Sequence, residues 1–175
     1  MTDPGRASDG ERDAEWFAAY QGGDERAFER LYLMHRDWAV RIAWRFSGDE
    51  SAALDLMQDA FAYLIRAAPR LELRGSLRAL LYPVIKRAAR DLRVRESRRE
   101  PLESAREPEV LPGLPDELQA LFSGLGPPQQ EVLSLRFADE LELSAIADVL
   151  GIPLGTVKSR LHNALEQLRE KRQGD

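Results

Sequence analysis

The chain contains no cysteine. Disulfides and thiolate-held metal are therefore excluded, and two histidines among 175 residues offer no ligand set for a structural zinc site. No apolar run reaches the roughly 20 residues that a helical membrane span needs. The opening thirteen residues, MTDPGRASDGERD, are polar and lack the apolar stretch of a secretory leader, so a frayed tail (1–13) and a cytoplasmic protein are expected. Strict alternation of apolar and polar residues is missing along the chain, which removes strands and leaves an all-α class. Also missing are a Gly-rich phosphate loop and any Ser, His and Asp set in motif context. The many carboxylates fall on helix faces, so neither an enzyme nor a bound cofactor is expected.

What is present is an uneven distribution of charge. The net charge of −5 hides two basic stretches and one acidic strip. Positions 86–99 hold seven Lys or Arg against Asp91 and Glu96, a local charge of +5. Positions 100–117 hold six acids against one Arg, a local charge of −5, and carry Pro101, Pro108, Pro112 and Pro115. Such a segment reads as a linker rather than a core (100–116), separating a first domain over 14–99 from a second over 117–172.

Helical periodicity fills both domains. Trp16, Phe17 and Tyr20 mark a short helix over 15–21, ended by Gly22 and Gly23. Asp24 is placed to cap a long amphipathic helix over 24–47, whose inward positions run from Ala27 and Phe28 to Ile42 and Phe46. Gly48 and Asp49 restart the pattern for a helix over 49–68 lined by Ala53, Leu56, Met57, Ala60, Phe61, Leu64 and Ile65. A loop over 69–76 follows, and Ser76 is placed to cap a fourth helix over 77–99, bent by Pro83 about two turns inside. Beyond the linker, helices are expected over 117–125 and 129–139, the second opened by Gly126, Pro127 and Pro128.

The final stretch, LELSAIADVLGIPLGTVKSRLHNALEQLREKR, reads as a helix-turn-helix. Ile146, Val149 and Leu150 give the first helix an apolar face, and Gly151, Ile152 and Pro153 form the turn. Val157, Leu161, Leu165 and Leu168 turn inward in the second helix, leaving Thr156, Lys158, Ser159, Arg160, His162 and Asn163 outward. Polar side chains at the leading end of such a helix suit entry into the major groove. Positions 154–172 hold five Lys or Arg against two Glu, a local charge of +3, which distinguishes this helix from an ordinary solvated one.

The motifs GDERAFERLY (23–32), GDESAALDLMQDAF (48–61), GSLRALLY (75–82) and RDLR (90–93) resemble the second conserved region of bacterial sigma factors, in the compact form called extracytoplasmic-function (ECF) sigma factors of the sigma-70 superfamily. LGPPQQEVL (125–133) and IADVLGIPLGTVKSRL (146–161) resemble the fourth region. Both halves stand in the family's order, with a linker between them, over about 15–171. The resemblance implies two small helical domains joined by a flexible linker. It also implies a transcription initiation factor that binds the beta and beta-prime subunits of core RNA polymerase, directs it to promoter DNA, opens the −10 element and is held inactive by an anti-sigma partner. It places Asp55, Gln58, Asp59 and Phe61 against the polymerase clamp helices. On spacing alone, Asp55 and Asp59 are an acidic edge facing solvent.

By the same resemblance, Arg70, Arg74, Arg78, Tyr82, Lys86, Arg87, Arg90 and Arg93 lie at the −10 element. The arginines and the lysine suit phosphates, the 69–76 loop suits an extruded base, and Tyr82 is the aromatic available for stacking. Capturing a single strand makes melting favourable without ATP. Thr156, Lys158, Ser159, Arg160, His162 and Asn163 lie at the −35 element, and the acidic linker corresponds to the segment that threads through polymerase. Three positions depart from the family's usual residues: Leu80 stands where Trp is common, Arg87 where Asn is common and Asn163 where Arg is common. Two rival readings remain open on residues alone. One is a helix-turn-helix regulator that binds duplex DNA as a dimer without joining polymerase, and the other a sigma-like adaptor that has lost DNA binding.

Overall fold

The computed structural model describes residues 9–73, 75–97 and 112–174. Among the described residues there are eight α-helices, one 3-10 turn and no strand. The helices are α1 (Asp9–Gln21), α2 (Glu25–Ser47), α3 (Glu50–Ala67), α4 (Leu77–Ser97), α5 (Asp116–Phe122), α6 (Pro127–Phe137), α7 (Leu143–Leu150) and α8 (Leu154–Gly174), with the 3-10 turn at Ala68–Arg70.

Local chemistry sets most of these boundaries. The Asp24 carboxylate accepts the Arg26 N–H at 3.0 Å and opens α2, while Gly48, at a φ of 71°, closes it. Asp49 accepts the Ala52 N–H at 2.7 Å and starts α3. Pro127 and Pro128 occupy the first turn of α6, where no N–H is missed, and the Gln129 side chain accepts the Gly126 N–H at 2.9 Å. Gly151, at a φ of 63°, makes the left-handed stop between α7 and α8. Helix α4 runs through Pro83 without interruption.

Three expectations need correction. The tail expected over 1–13 is helical from Asp9 onward, because Asp13 is wholly buried. Its carboxylate accepts the Leu77 N–H at 2.7 Å and meets His35 Nε2 at 2.7 Å, tying α1 to α2 and to the first turn of α4. Hydrophobic periodicity misses this anchor because the anchoring residue is an acid. Ile65, expected inward, is 45% exposed. Residues 100–111 of the expected linker, like the last two residues of the expected fourth helix, lie outside the described residues, but the linker's last residues are built into the fold. The Gly113 N–H donates to the Arg45 carbonyl at 3.1 Å, and a Cβ on Gly113 would stand 2.0 Å from the Trp44 carbonyl oxygen. Only glycine permits that approach. Leu114, next in sequence, is buried beside Phe122, Leu125, Leu133 and Ala164.

The two halves share a core. Val132, Leu135, Leu141, Ile146, Val149 and Val157 are continuous with the cluster built by α1 to α4, and α7 lies directly on α4. Two polar links cross the same seam. Arg45 Nη1 donates to Asp139 Oδ2 at 2.6 Å, with both side chains buried, and the Tyr82 hydroxyl donates to Glu131 Oε1 at 3.0 Å.

Candidate nucleic-acid interface

Helix α8 is held by its apolar face. Val157 and Ala164 are fully buried, and Leu161, Leu165 and Leu168 are half-buried. At the far end, Lys171 Nζ donates to the Ser123 hydroxyl at 3.0 Å and to the Ser123 carbonyl at 3.3 Å, just past the end of α5. This fixes which way the helix faces. Lys158, Ser159, His162 and Asn163 are exposed, while Thr156 and Arg160 are half-buried at the edge of the same surface. The Ser159 hydroxyl donates to the Thr156 carbonyl at 3.0 Å, which leaves its oxygen free to accept.

Helix α4 divides the residues that sequence reasoning grouped together. Arg87 and Arg90 are exposed and line, with Pro83, Lys86 and Arg93, a cleft of about 210 Å³. Arg87 lies 3.9 Å from Asp91, one turn on. Arg93 is half-buried, with one guanidinium nitrogen buried and unpartnered. Arg70 is exposed at the mouth of the loop before α4, and Arg74 lies outside the described residues. Arg78 instead rests over the Trp38 ring, 5.7 Å from its centroid. Tyr82, expected as a stacking platform, is 4% exposed and presents no face to solvent. Burial, reinforced by the Glu131 carboxylate that accepts its hydrogen bond, holds the phenol well above its ordinary pKa. Lys86 Nζ reaches the same Glu131 oxygen, so α6 supplies the counter-charge for this end of the basic face. Leu80 packs against the core.

On α3, Asp55, Gln58 and Asp59 are exposed along one edge. Phe61 is not part of that surface. It is 4% exposed and meets the Tyr32 ring edge-on at 4.9 Å, so it supports the ridge from beneath. Asp55 and Asp59 line a cleft of about 470 Å³ between α3 and α4, together with Asp49, Asp91, Leu92 and Arg95. Asp49 and Asp91 were not singled out from sequence. Asp49 enters the sequence reading only where the helical pattern restarts after Gly48, and Asp91 only as one of two acids among the basic residues of 86–99.

Residues 31–99 match the family described as Sigma-70 region 2, and residues 121–170 match Sigma-70, region 4. The two matches together span more than half of the chain. The chain belongs to the sigma-70 family, in its extracytoplasmic-function branch. It is 28% identical over 164 residues to the ECF RNA polymerase sigma factor SigE of Mycolicibacterium smegmatis, covering 85% of this chain and 63% of that one. It is 27% identical over 173 residues to the ECF sigma factor SigW of Bacillus subtilis, covering 85% and 90%, and 28% identical to the RNA polymerase sigma-H factor of Pseudomonas aeruginosa, covering 90% and 92%. Among solved structures, CnrH in complex with the cytosolic domain of CnrY shares the fold, with a TM-score of 0.68 over 94% of this chain and 99% of that one at 24% identity. The sigma factor RpoE in complex with the anti-sigma factor NepR from Bartonella quintana has a TM-score of 0.59, covering 85% and 98% at 22% identity.

Sequence reasoning missed two polar links between the halves of this sigma factor. Glu131 and Asp139, on and just after α6 of its region 4 half, reach into its region 2 half and neutralise Lys86 and Arg45. Each lies inside an ordinary amphipathic pattern and carries no local mark of its partner. No helix among the described residues is long and apolar enough to cross a membrane.

Proposed function

We propose that this sigma factor joins core RNA polymerase, through its beta and beta-prime subunits, and directs it to promoters carrying −35 and −10 elements. The observation that carries the reading is the pair of exposed cationic faces, Arg87 and Arg90 on α4 and Lys158 with its neighbours on α8, in a chain of net charge −5. Two separate basic faces suit two separated stretches of promoter DNA, and the acidic remainder disfavours indiscriminate coating of nucleic acid. In this reading α8 anchors on upstream duplex through Lys158, Ser159, Arg160, His162 and Asn163. Phosphates of the −10 strand lie on Arg87, Arg90 and Arg93, and the loop entered at Arg70 receives an unpaired base. Asp55, Gln58 and Asp59 dock on polymerase, with Phe61 holding their helix in place.

Tyr82 and Lys86 join the strand only when the seam between the halves parts, because Glu131 occupies both in the arrangement described. Polymerase opens that seam by binding the two halves apart. Since CnrH was solved with the cytosolic domain of CnrY and RpoE with the anti-sigma factor NepR, an anti-sigma protein that binds the closed arrangement is a fitting partner here. The chain itself supplies binding energy for strand opening and no bond-breaking chemistry. The test is a reconstituted run-off assay with purified chain, core polymerase and the DNA upstream of its own operon. Specific initiation is expected; a footprint on duplex DNA without polymerase, and no initiation with it, would replace this reading with the duplex-binding regulator.

A further inference from the structure

Helix α4 is continuous through Pro83, yet a proline has no N–H to give. The carbonyl four residues back, that of Ala79, therefore lacks the helical donor that its neighbours receive. The two positions lie one turn apart on the same side of the helix, Pro83 exposed and Ala79 half-buried. The proline ring stands beside the carbonyl oxygen that it leaves free. That ring also lines the cleft of about 210 Å³ with Lys86, Arg87, Arg90 and Arg93. All four of those side chains are cations, which donate hydrogen bonds and accept none. The Ala79 carbonyl is the acceptor at the rim of this cleft.

We infer that the Ala79 carbonyl, kept free by Pro83, accepts a hydrogen bond from the exocyclic amino group of an adenine or cytosine, so that Pro83 sets a base preference on this face. Adenine offers its N6 amino group and cytosine its N4. Thymine presents a carbonyl oxygen at the equivalent place, and two carbonyl oxygens facing one another repel. The guanidinium groups discriminate the other way, because they donate to the acceptors of guanine and thymine. Cations alone would hold any strand by its phosphates or lean toward acceptor-bearing bases. One backbone acceptor among them is what an amino-bearing base needs. In the free chain water satisfies the carbonyl, and the amino group takes the place of that water, so the gain is that of a single exchanged hydrogen bond.

The inference rests on the reading of the α4 face as a binder of the −10 strand, and the probes separate the two. They are fluorescein-labelled single-stranded dodecamers of deoxyadenosine and of deoxynebularine, which is deoxyadenosine without its amino group, mixed with the full chain. Charge, length and ring skeleton are the same in both. Wild-type chain is expected to bind the deoxyadenosine oligomer about two- to tenfold more tightly, the range of one hydrogen bond. Pro83→Ala restores the N–H, closes the helical bond on the Ala79 carbonyl and brings the two affinities together. It places a better helix former in α4, so the fold is kept. A change in the shape of the helix moves both affinities alike, whereas their ratio reports the acceptor. Arg90→Ala should flatten the salt dependence of both oligomers by about 0.7 in the log–log slope and leave the ratio as in wild type. Equal affinities in the wild type, or a preference that survives in Pro83→Ala, overturn the proposal and leave the strand-binding reading standing. Failure of the wild type to bind either oligomer overturns both.

Discussion

Replacing Glu131 with Ala is the sharpest test of how the two halves are held. Glu131 is 8% exposed and accepts from two donors across the seam, the Tyr82 hydroxyl at 3.0 Å and the Lys86 ammonium. The two losses differ in size. Tyr82 is buried, and its hydroxyl would be stranded without an acceptor, at a cost of about 1–3 kcal/mol. Lys86 is 45% exposed and rehydrates when released, so its pair contributes about 0–1 kcal/mol after screening. The closed arrangement should therefore lose about 1–3 kcal/mol, nearly all of it through the phenol. Tyr82→Phe in the Glu131→Ala background removes the stranded hydroxyl and should restore most of the loss, a coupling that a double-mutant cycle reads directly. Because the chain has no cysteine, dyes placed at Ser51→Cys and Gln167→Cys report the separation of the halves without background labelling. Glu131→Ala should raise the open population, and Tyr82→Phe with it should lower that population again. An unchanged dye separation in Glu131→Ala refutes the reasoning. The raised phenol pKa adds a pH signature. A group whose folded pKa is raised contributes stability that is complete below its unfolded pKa near 10 and is lost as pH climbs toward the folded value. The seam should weaken from about pH 10 upward, and Tyr82→Phe should remove that part of the alkaline loss.

Other consequences follow from particular contacts. Asp139→Ala strands the buried Arg45 guanidinium and should lower stability by about 3–5 kcal/mol in urea unfolding, whereas replacing both Arg45 and Asp139 with apolar residues should cost far less. Gly113→Ala drives a methyl into the Trp44 carbonyl, so it should detach the linker's end from α2 at a cost of about 1–3 kcal/mol, seen as a lower melting temperature and faster proteolysis near Pro112. In promoter binding with polymerase, Lys158→Ala and Arg160→Ala should each either lower the salt slope by about 0.9, as a phosphate contact does, or relax base discrimination by about 1–3 kcal/mol. Unchanged promoter use in both variants would mean that α8 faces elsewhere.

Much of the architecture is legible in the amino-acid sequence. Asp24, Gly48, Asp49 and Gly151 act within a few residues of themselves, so their caps and stops coincide with the helix ends observed. The outward set on α8 was legible for the same reason, since burying Val157 at one step of the helix settles where Lys158 and His162 point. The candidate −10 and polymerase-facing residues were legible as a list but not as a surface. Arg78 is engaged by Trp38, Tyr82 is buried and Phe61 is a core ring, because each meets a partner from another helix. The anchoring of α1 through Asp13 escaped notice because pattern reading credits apolar residues with burial and treats a carboxylate as solvated.

By itself the sequence determined the helices, their capping, the helix-turn-helix, the division of charge and the family, all of which are properties of near neighbours or of motifs. Only the tertiary structure decided that the halves close on one another, with α7 on α4, Gly113 against α2, and Glu131 drawn to Tyr82. The physical reason is separation along the chain. Tyr82 and Glu131 stand 49 residues apart, Arg45 and Asp139 stand 94 apart, and no local periodicity encodes a pairing across that distance.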